Sequence, residues 1–196
     1  MKNPVYETIL RRRSIRRFRN QNIPYEILER CVDAARLAPS AKNLQPLEYI
    51  VVDEKDVRER VFDTLGWASN LPDGRPPSSN QPRAYIVIIV DTDSIPRSGY
   101  AGYKYDVGLS AGNICLTALE KGIGSCILAS VERRRLRGIL KIPENYNIEL
   151  VIALGYPAEE PVAEDAKDSI TYYRDRMGTI HVPKRRLKDI LHRNRF

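Results

Sequence analysis

A chain of 196 residues, 42% hydrophobic and 29% charged, is long enough for one domain, residues 1–196, to bury a core without disulfides or metal. Lysine and arginine number 32 against 25 acidic residues, and the resulting charge of +7 favours anionic partners without naming one. No secretory apolar region opens the sequence and no apolar run is long enough to cross a bilayer, so a soluble cytoplasmic protein with no membrane partner is expected.

Residues 4–12 can open as a short helix with Val5, Ile9 and Leu10 on one side. Pro24 suits a first helical position, and Ile27, Leu28, Cys31, Val32 and Ala35 then recur at helical spacing, predicting an amphipathic helix over 24–38 that Pro39 stops. A strand is expected at 48–53 and a helix at 55–65. Residues 66–83 hold four prolines and two glycines and read as a long irregular connection, a type of segment that often covers a functional site. "AYIVIIV" at 84–90 is continuously apolar and β-branched, as in a strand buried on both faces. A long helix follows over 102–121, ended by Gly122. Next come a short strand at 123–128, a helix at 131–140 with Ser130 as its N-cap, and a second buried strand at 148–155. Residues 156–178 are proline-rich, then acidic, and are expected to wander over the surface. The tail carries a strand-like "TIHV", the basic "PKRR" and a final apolar turn. Helices flanking a small sheet of buried strands give an α/β (α+β) three-layer sandwich with a central mixed β-sheet.

Two motifs invite an enzymatic reading and fail on context. "GLSAG" at 108–112 fits the nucleophile-elbow pattern of serine hydrolases, but that pattern needs a core strand running into a sharp turn. Here the preceding "GYAGYKYDV" is no core strand and the motif lies within a helical pattern. Small residues for close helix packing explain it better. "KGIGSC" at 121–126 lacks the third glycine of a dinucleotide-binding turn, and its helix precedes rather than follows. Cys31, Cys115 and Cys126 are far apart and all in apolar stretches, so they read as core residues rather than metal or redox ligands. Neither His181 nor His192 has an evident orienting partner.

"RRRSIRRF" at 11–18 sets five arginines around one serine. Its three opening arginines alone would pass for a solvated face. Ser14, however, adds a hydroxyl that can donate to a phosphate oxygen, Arg16 follows two residues later, and Ile15 and Phe18 anchor the segment apolarly. Guanidinium forks combined with a hydroxyl give directional recognition of one phosphate, which fits a cofactor better than a polymer. "APSAKNLQP" at 38–46 places Ser40, Asn43 and Gln45 in a constrained turn where amide side chains can read a heterocycle edge.

Taken together, R-R-S-x-R-x-F at 12–18 and P-S-x-x-N-x-Q-P at 39–46 resemble the FMN-dependent nitroreductase family. "AYIVIIV", "AGNICLTALEKGIGSCIL", "ELVIALGYP" and "HVPKRRLKDIL" fall in that family's order over nearly the whole chain. The resemblance implies a homodimer with FMN at the subunit interface. It implies that Arg12 and Ser14 bind the FMN phosphate with Arg13 nearby, and that Arg16 lies beside N1 and the C2 oxygen of the ring, where a cation stabilises reduced flavin. Pro39, Ser40 and Asn43 come from the other subunit, backbone amides of Ala129 and Ser130 face flavin N5, and Lys184 and Arg185, with Arg186 beside them, return to the phosphate. NADH or NADPH then reduces the flavin in a ping-pong cycle, and a nitroaromatic, quinone or related small molecule takes the electrons. Dehalogenases, flavin-fragmenting enzymes and peptide-azoline oxidases belong to the same family and leave the acceptor open. Leu47 stands where the family often has an aromatic residue, and the 66–83 loop with Trp67 is the candidate cover of the site. Arg11, Arg17 and Arg19 read as solvated charge. A competing reading makes the basic clusters at 11–19 and 184–195 a nucleic-acid surface, without a helix-turn-helix or zinc finger to support it.

Overall fold

Alternation along one central strand sets the layering. In β2 (Ala84–Asp91), Tyr85, Val87 and Ile89 join one buried cluster, while Ala84, Ile86, Ile88 and Val90 join another on the opposite face. The first cluster takes Val61 and Phe62 of α3 (Lys55–Phe62) and Leu136 of α5 (Arg133–Leu140). The second takes Leu28 and Cys31 of α2 (Tyr25–Arg36) and Val107, Ala111 and Ile114 of α4 (Tyr103–Glu120). These relations come from a computed structural model that describes residues 4–96 and 102–196, so residues 99–101, read above as no core strand, lie outside it.

The expected three-layer sandwich follows. Its sheet runs β1-β2-β4-β3, with β1 (Leu47–Val52), β3 (Gly124–Leu128) and β4 (Tyr146–Gly155). Every pairing within these four strands is antiparallel; the parallel component is the bridge from Ser14 to Ser125 on the outer edge of β3. β2 is continuously apolar because helices cover both its faces, although its neighbours are antiparallel.

Some boundaries differ from the sequence reading. α3 ends at Phe62, and Leu65 instead bridges Val131. That bridge, with the Glu132 amide donating to the Thr64 carbonyl at 2.8 Å, keeps residues 131–132 out of the helix. α5 therefore starts at Arg133, and Ser130 is not its cap. Gly108 and Gly112 lie inside α4 as expected, yet a Cβ on either would meet nothing within 4 Å, so they serve no close packing within the chain. The three cysteines are buried and free, and burial pushes the Cys31 thiol up to about 12 and that of Cys126 to about 11.

The 156–178 excursion is more ordered than its proline and acidic content predicts. β5 (Val162–Asp165) and β6 (Tyr173–Arg174) flank β7 (Ile180–Lys184) in a second sheet, parallel on one side and antiparallel on the other. Strands this short leave no periodicity to read; a histidine ties them. Nδ1 of His181 lies 2.9 Å from a Glu164 oxygen and Nε2 lies 3.1 Å from an Asp175 oxygen, and the ring stacks on Tyr173. With a carboxylate at each nitrogen, the doubly donating imidazolium is the favoured form. Hydrogen bonds to Glu164 and then Asp175 raise the His181 pKa above its ordinary 6.5, and the same bonds lower both carboxylates.

The histidine's contribution is complete below pH 6.5 and is lost as pH rises through its raised folded pKa. The carboxylates' contributions are present above their ordinary 4.5 and 3.8, and are lost as pH falls through their lowered folded values. Imidazole NMR titration should give His181 a midpoint above 6.5, moving down in Glu164→Gln. A wild-type midpoint at or below that value would contradict the geometry.

Candidate functional site

The arginine segment is held mainly through its backbone. α1 (Pro4–Arg11) ends just before it, and the Arg12 amide donates to the Thr8 carbonyl at 3.0 Å. Ser14 then bridges Ser125, and the Ile15 amide donates to the Ser125 carbonyl at 2.9 Å. Ile15 and Phe18 are buried as expected, each against a glycine whose missing side chain makes the space. A Cβ on Gly124 would lie 2.7 Å from Ile15, and one on Gly155 would lie 2.6 Å from Phe18. The buried Glu159 carboxylate accepts the amides of Arg16 at 2.6 Å and Arg17 at 3.3 Å, with Arg174 3.6 Å from its other oxygen.

Beside this segment lies a cavity of about 890 Å³ walled by Arg12, Arg13, Gly124, Ser125, Glu159 and, from β5, Val162 and Ala163. Such a volume accommodates a cofactor-sized ligand. Arg13 donates through Nη1 to the Arg12 carbonyl at 2.6 Å, but its Nε is buried and has no hydrogen-bond partner. Burial first, and the neighbouring Arg12 cation second, lower the Arg13 pKa. Among the described residues neither Arg12 nor Arg13 forms an ion pair with a carboxylate. Two adjacent guanidiniums, one partly desolvated and short of an acceptor, thus line the same cavity as Glu159 and Glu160.

The remaining candidates lie elsewhere in the single chain. Ser14 is half-buried at its bridge to β3, and Arg16 packs its guanidinium 5.1 Å from the centre of the Tyr172 ring. Pro39, Ser40 and Asn43 form a turn against α4. Ser40 donates to Asp106 at 2.7 Å and accepts the Gln45 amide at 3.0 Å. Lys42, Asn43 and Gln45 all have positive φ, a concentration of backbone strain typical of functional turns. Ala129 and Ser130 are exposed beyond β3, with the Ser130 carbonyl accepting from Gly66 at 2.9 Å. A Cβ on Gly66 would lie 2.3 Å from the Ser130 hydroxyl, so this close approach requires glycine. Lys184 and Arg185 are exposed at the end of β7, outside the Arg12–Arg13 cavity. Arg186 is paired with Asp189 at 2.9 Å.

The outer arginines are not alike. Arg11 and Arg19 are exposed but border the cavity, whereas Arg17 is half-buried and paired with Asp73, so the solvated reading fails for Arg17. Asp73 also takes Arg174 at 3.1 Å, which fastens the 66–83 loop to the arginine segment. His181 likewise has the orienting partners that its sequence neighbourhood did not reveal.

Glu159, Asp106 and Asp73 are the residues that sequence reasoning missed. Each acts on a segment far away in sequence, and an isolated carboxylate accepting a distant amide or hydroxyl leaves no local pattern. Replacing Glu159 by alanine leaves two amides without their acceptor, at a cost of about 1–3 kcal/mol. Hydrogen exchange at Arg16 and Arg17 should accelerate while that of β2 is preserved; unchanged rates at both amides would refute this role for Glu159.

Fold and site thus define a three-layer α/β protein with an arginine-lined cavity beside the edge strand of its sheet. The sequence profile described as the nitroreductase family matches residues 9–156. An Archaeoglobus fulgidus protein provisionally named NADH dehydrogenase/NAD(P)H nitroreductase is 34% identical, over 82% of this chain and 89% of its own. An iodotyrosine deiodinase of Thermotoga neapolitana is 24% identical, over 78% of this chain and 88% of its own. The solved FMN-dependent nitroreductase of Clostridium difficile R20291 superposes with a TM-score of 0.67 at 26% identity, covering 96% of this chain and 98% of that one. The chain belongs to the nitroreductase family.

Proposed function

We propose that this protein is an FMN-dependent oxidoreductase working as a homodimer, with NADH or NADPH as reductant and a small organic molecule as electron acceptor. The observation that carries the reading is the buried, unpartnered Nε of Arg13 beside the unpaired Arg12, in a cavity of cofactor size. The FMN phosphate is the anion that completes this receptor, with Arg12, Arg13 and Ser14 as its donors and Lys184 and Arg185 closing on it in the assembled dimer. Arg16 supplies a fixed cation for the ring, which Tyr172 keeps in place. The amides of Ala129 and Ser130 serve N5, and Pro39, Ser40 and Asn43 of a second copy cover the ring. FMN, when bound, supplies hydride chemistry at N5, so the side chains bind and orient rather than act as nucleophiles.

Exposed apolar surface supports the dimer. α1 buries none of its residues and leaves Val5, Ile9 and Leu10 exposed, and α4 presents Tyr105, Gly108, Leu109 and Gly112 outward. Ser40 donates to Asp106 of α4, so a second copy packed through α4 brings its 39–46 turn within the same assembly.

Arg13→Gln should weaken FMN affinity by about ten- to a hundredfold in a fluorescence titration, the loss expected for charge-assisted phosphate bonds. Arg36→Ala, an exposed arginine paired with Asp33, should retain wild-type affinity. Equal affinity in the two variants would reject the receptor. Anaerobic reduction by NADH and by NADPH, followed by nitroaromatic, quinone and iodophenol acceptors, then separates reductase from dehalogenase chemistry.

Placing a charge on the outward face of α4 tests the assembly. Leu109→Arg should shift sedimentation from dimer to monomer and lower FMN retention with it. A Leu109→Arg protein that stays dimeric and yellow would place the interface elsewhere.

A further inference from the structure

The arginine segment ends at a second cavity. About 400 Å³ in volume, it opens between the first turns of α3 and residues 78–83, and Asn20 also lines it. It shares no lining residue with the Arg12–Arg13 cavity. Three cations, Lys55, Arg58 and Arg83, line it against one carboxylate, Glu59. That carboxylate is a weak counterweight: it lies 4.0 Å from Lys55, and both side chains are more than half exposed.

The two arginines are held in place by neutral groups only. Arg58 is 6% exposed and donates through Nη1 to the carbonyls of Asp53 at 2.9 Å and Arg83 at 3.2 Å. Arg83 donates through Nη2 to the Asn22 side chain at 2.6 Å, and its Nε is buried without a partner. Neither arginine forms an ion pair among the described residues. Burial, and next the Arg83 charge, lower the Arg58 pKa. Carbonyl oxygens orient a guanidinium but do not neutralise it, so a buried and a half-buried like charge remain side by side. An oxyanion between them supplies the missing acceptor and the missing charge together.

We propose that this cavity is a second anion site, binding a phosphate group against Arg58, Arg83 and Lys55, with the Ser78 hydroxyl and the Gln81 amide as neutral donors. The phosphate is either inorganic or the terminal group of a small phosphorylated molecule; both present the same oxygens to the arginines. The site does not depend on the flavin reading, because its residues are separate from those of the first cavity.

Calorimetric titration of inorganic phosphate into protein saturated with FMN tests it, since FMN occupies the first cavity if that reading holds. Saturable binding is expected, weakened by about tenfold or more in Arg83→Gln and by a smaller factor in Lys55→Gln. In Arg13→Gln, which alters only the first cavity, the FMN-saturated titration should be unchanged. AMP in place of phosphate distinguishes the sources: tighter binding of AMP identifies a phosphorylated molecule, and equal or weaker binding identifies free phosphate. Lys55 is exposed at the surface of α3, so Lys55→Gln keeps the test valid should Arg83→Gln fail to fold. Absence of saturable phosphate binding, or an affinity that Arg13→Gln lowers and neither Arg83→Gln nor Lys55→Gln alters, would overturn the proposal.

Discussion

One buried carboxylate holds the arginine segment in its working shape. Glu159 accepts the amides of Arg16 and Arg17 from a position after β4, at the far side of the sequence from the residues it fixes. An extended segment rich in arginine has no apolar periodicity to fold it and repels itself. Backbone acceptors from β3 and from residues 156–159, together with the buried side chains of Ile15 and Phe18, overcome that repulsion. With the main chain so fixed, Arg17 can pair with Asp73, while Arg12 and Arg13 form no ion pair among the described residues. Asp73 and Arg174 extend the arrangement, joining the 66–83 loop to the segment through charges that alternate in sign.

The helices and central strands were legible in the sequence because burial imposes a period. β2 is apolar at every position from Ala84 to Val90, and helices cover both its faces; α2 repeats its apolar residues every three or four positions. The apolar anchors of the arginine segment were legible without a period, because Ile15 and Phe18 are the only apolar residues between Arg11 and Arg19. The small sheet was not, since β6 has two residues and β5 four, and His181 fastens them through carboxylates 17 and 6 positions away. α5 started later than its N-cap residue indicated because a tertiary bridge from Leu65 outbid the local preference of Ser130.

For the candidate site, sequence identified donors but not their supports. Arg12 and Arg13 meet in one cavity, yet Ser40 turns toward Asp106 and Lys184 sits on another sheet. A motif read along the chain carries no information on which copy of the chain supplies each part. In the single chain Arg12 and Arg13 line one cavity, while the turn at 42–45 and apolar side chains of α1 and α4 are exposed.

Ser14 and Ile15 also lie along the outer edge of β3, the last strand of the main sheet. An uncovered strand edge is a template for pairing with other chains. The short stretch that leads from Arg12 and Arg13 into the core therefore guards the sheet against intermolecular growth. The constraint on this backbone is thus one of solubility as well as shape, because a segment detached from β3 bares the strand edge that it covers.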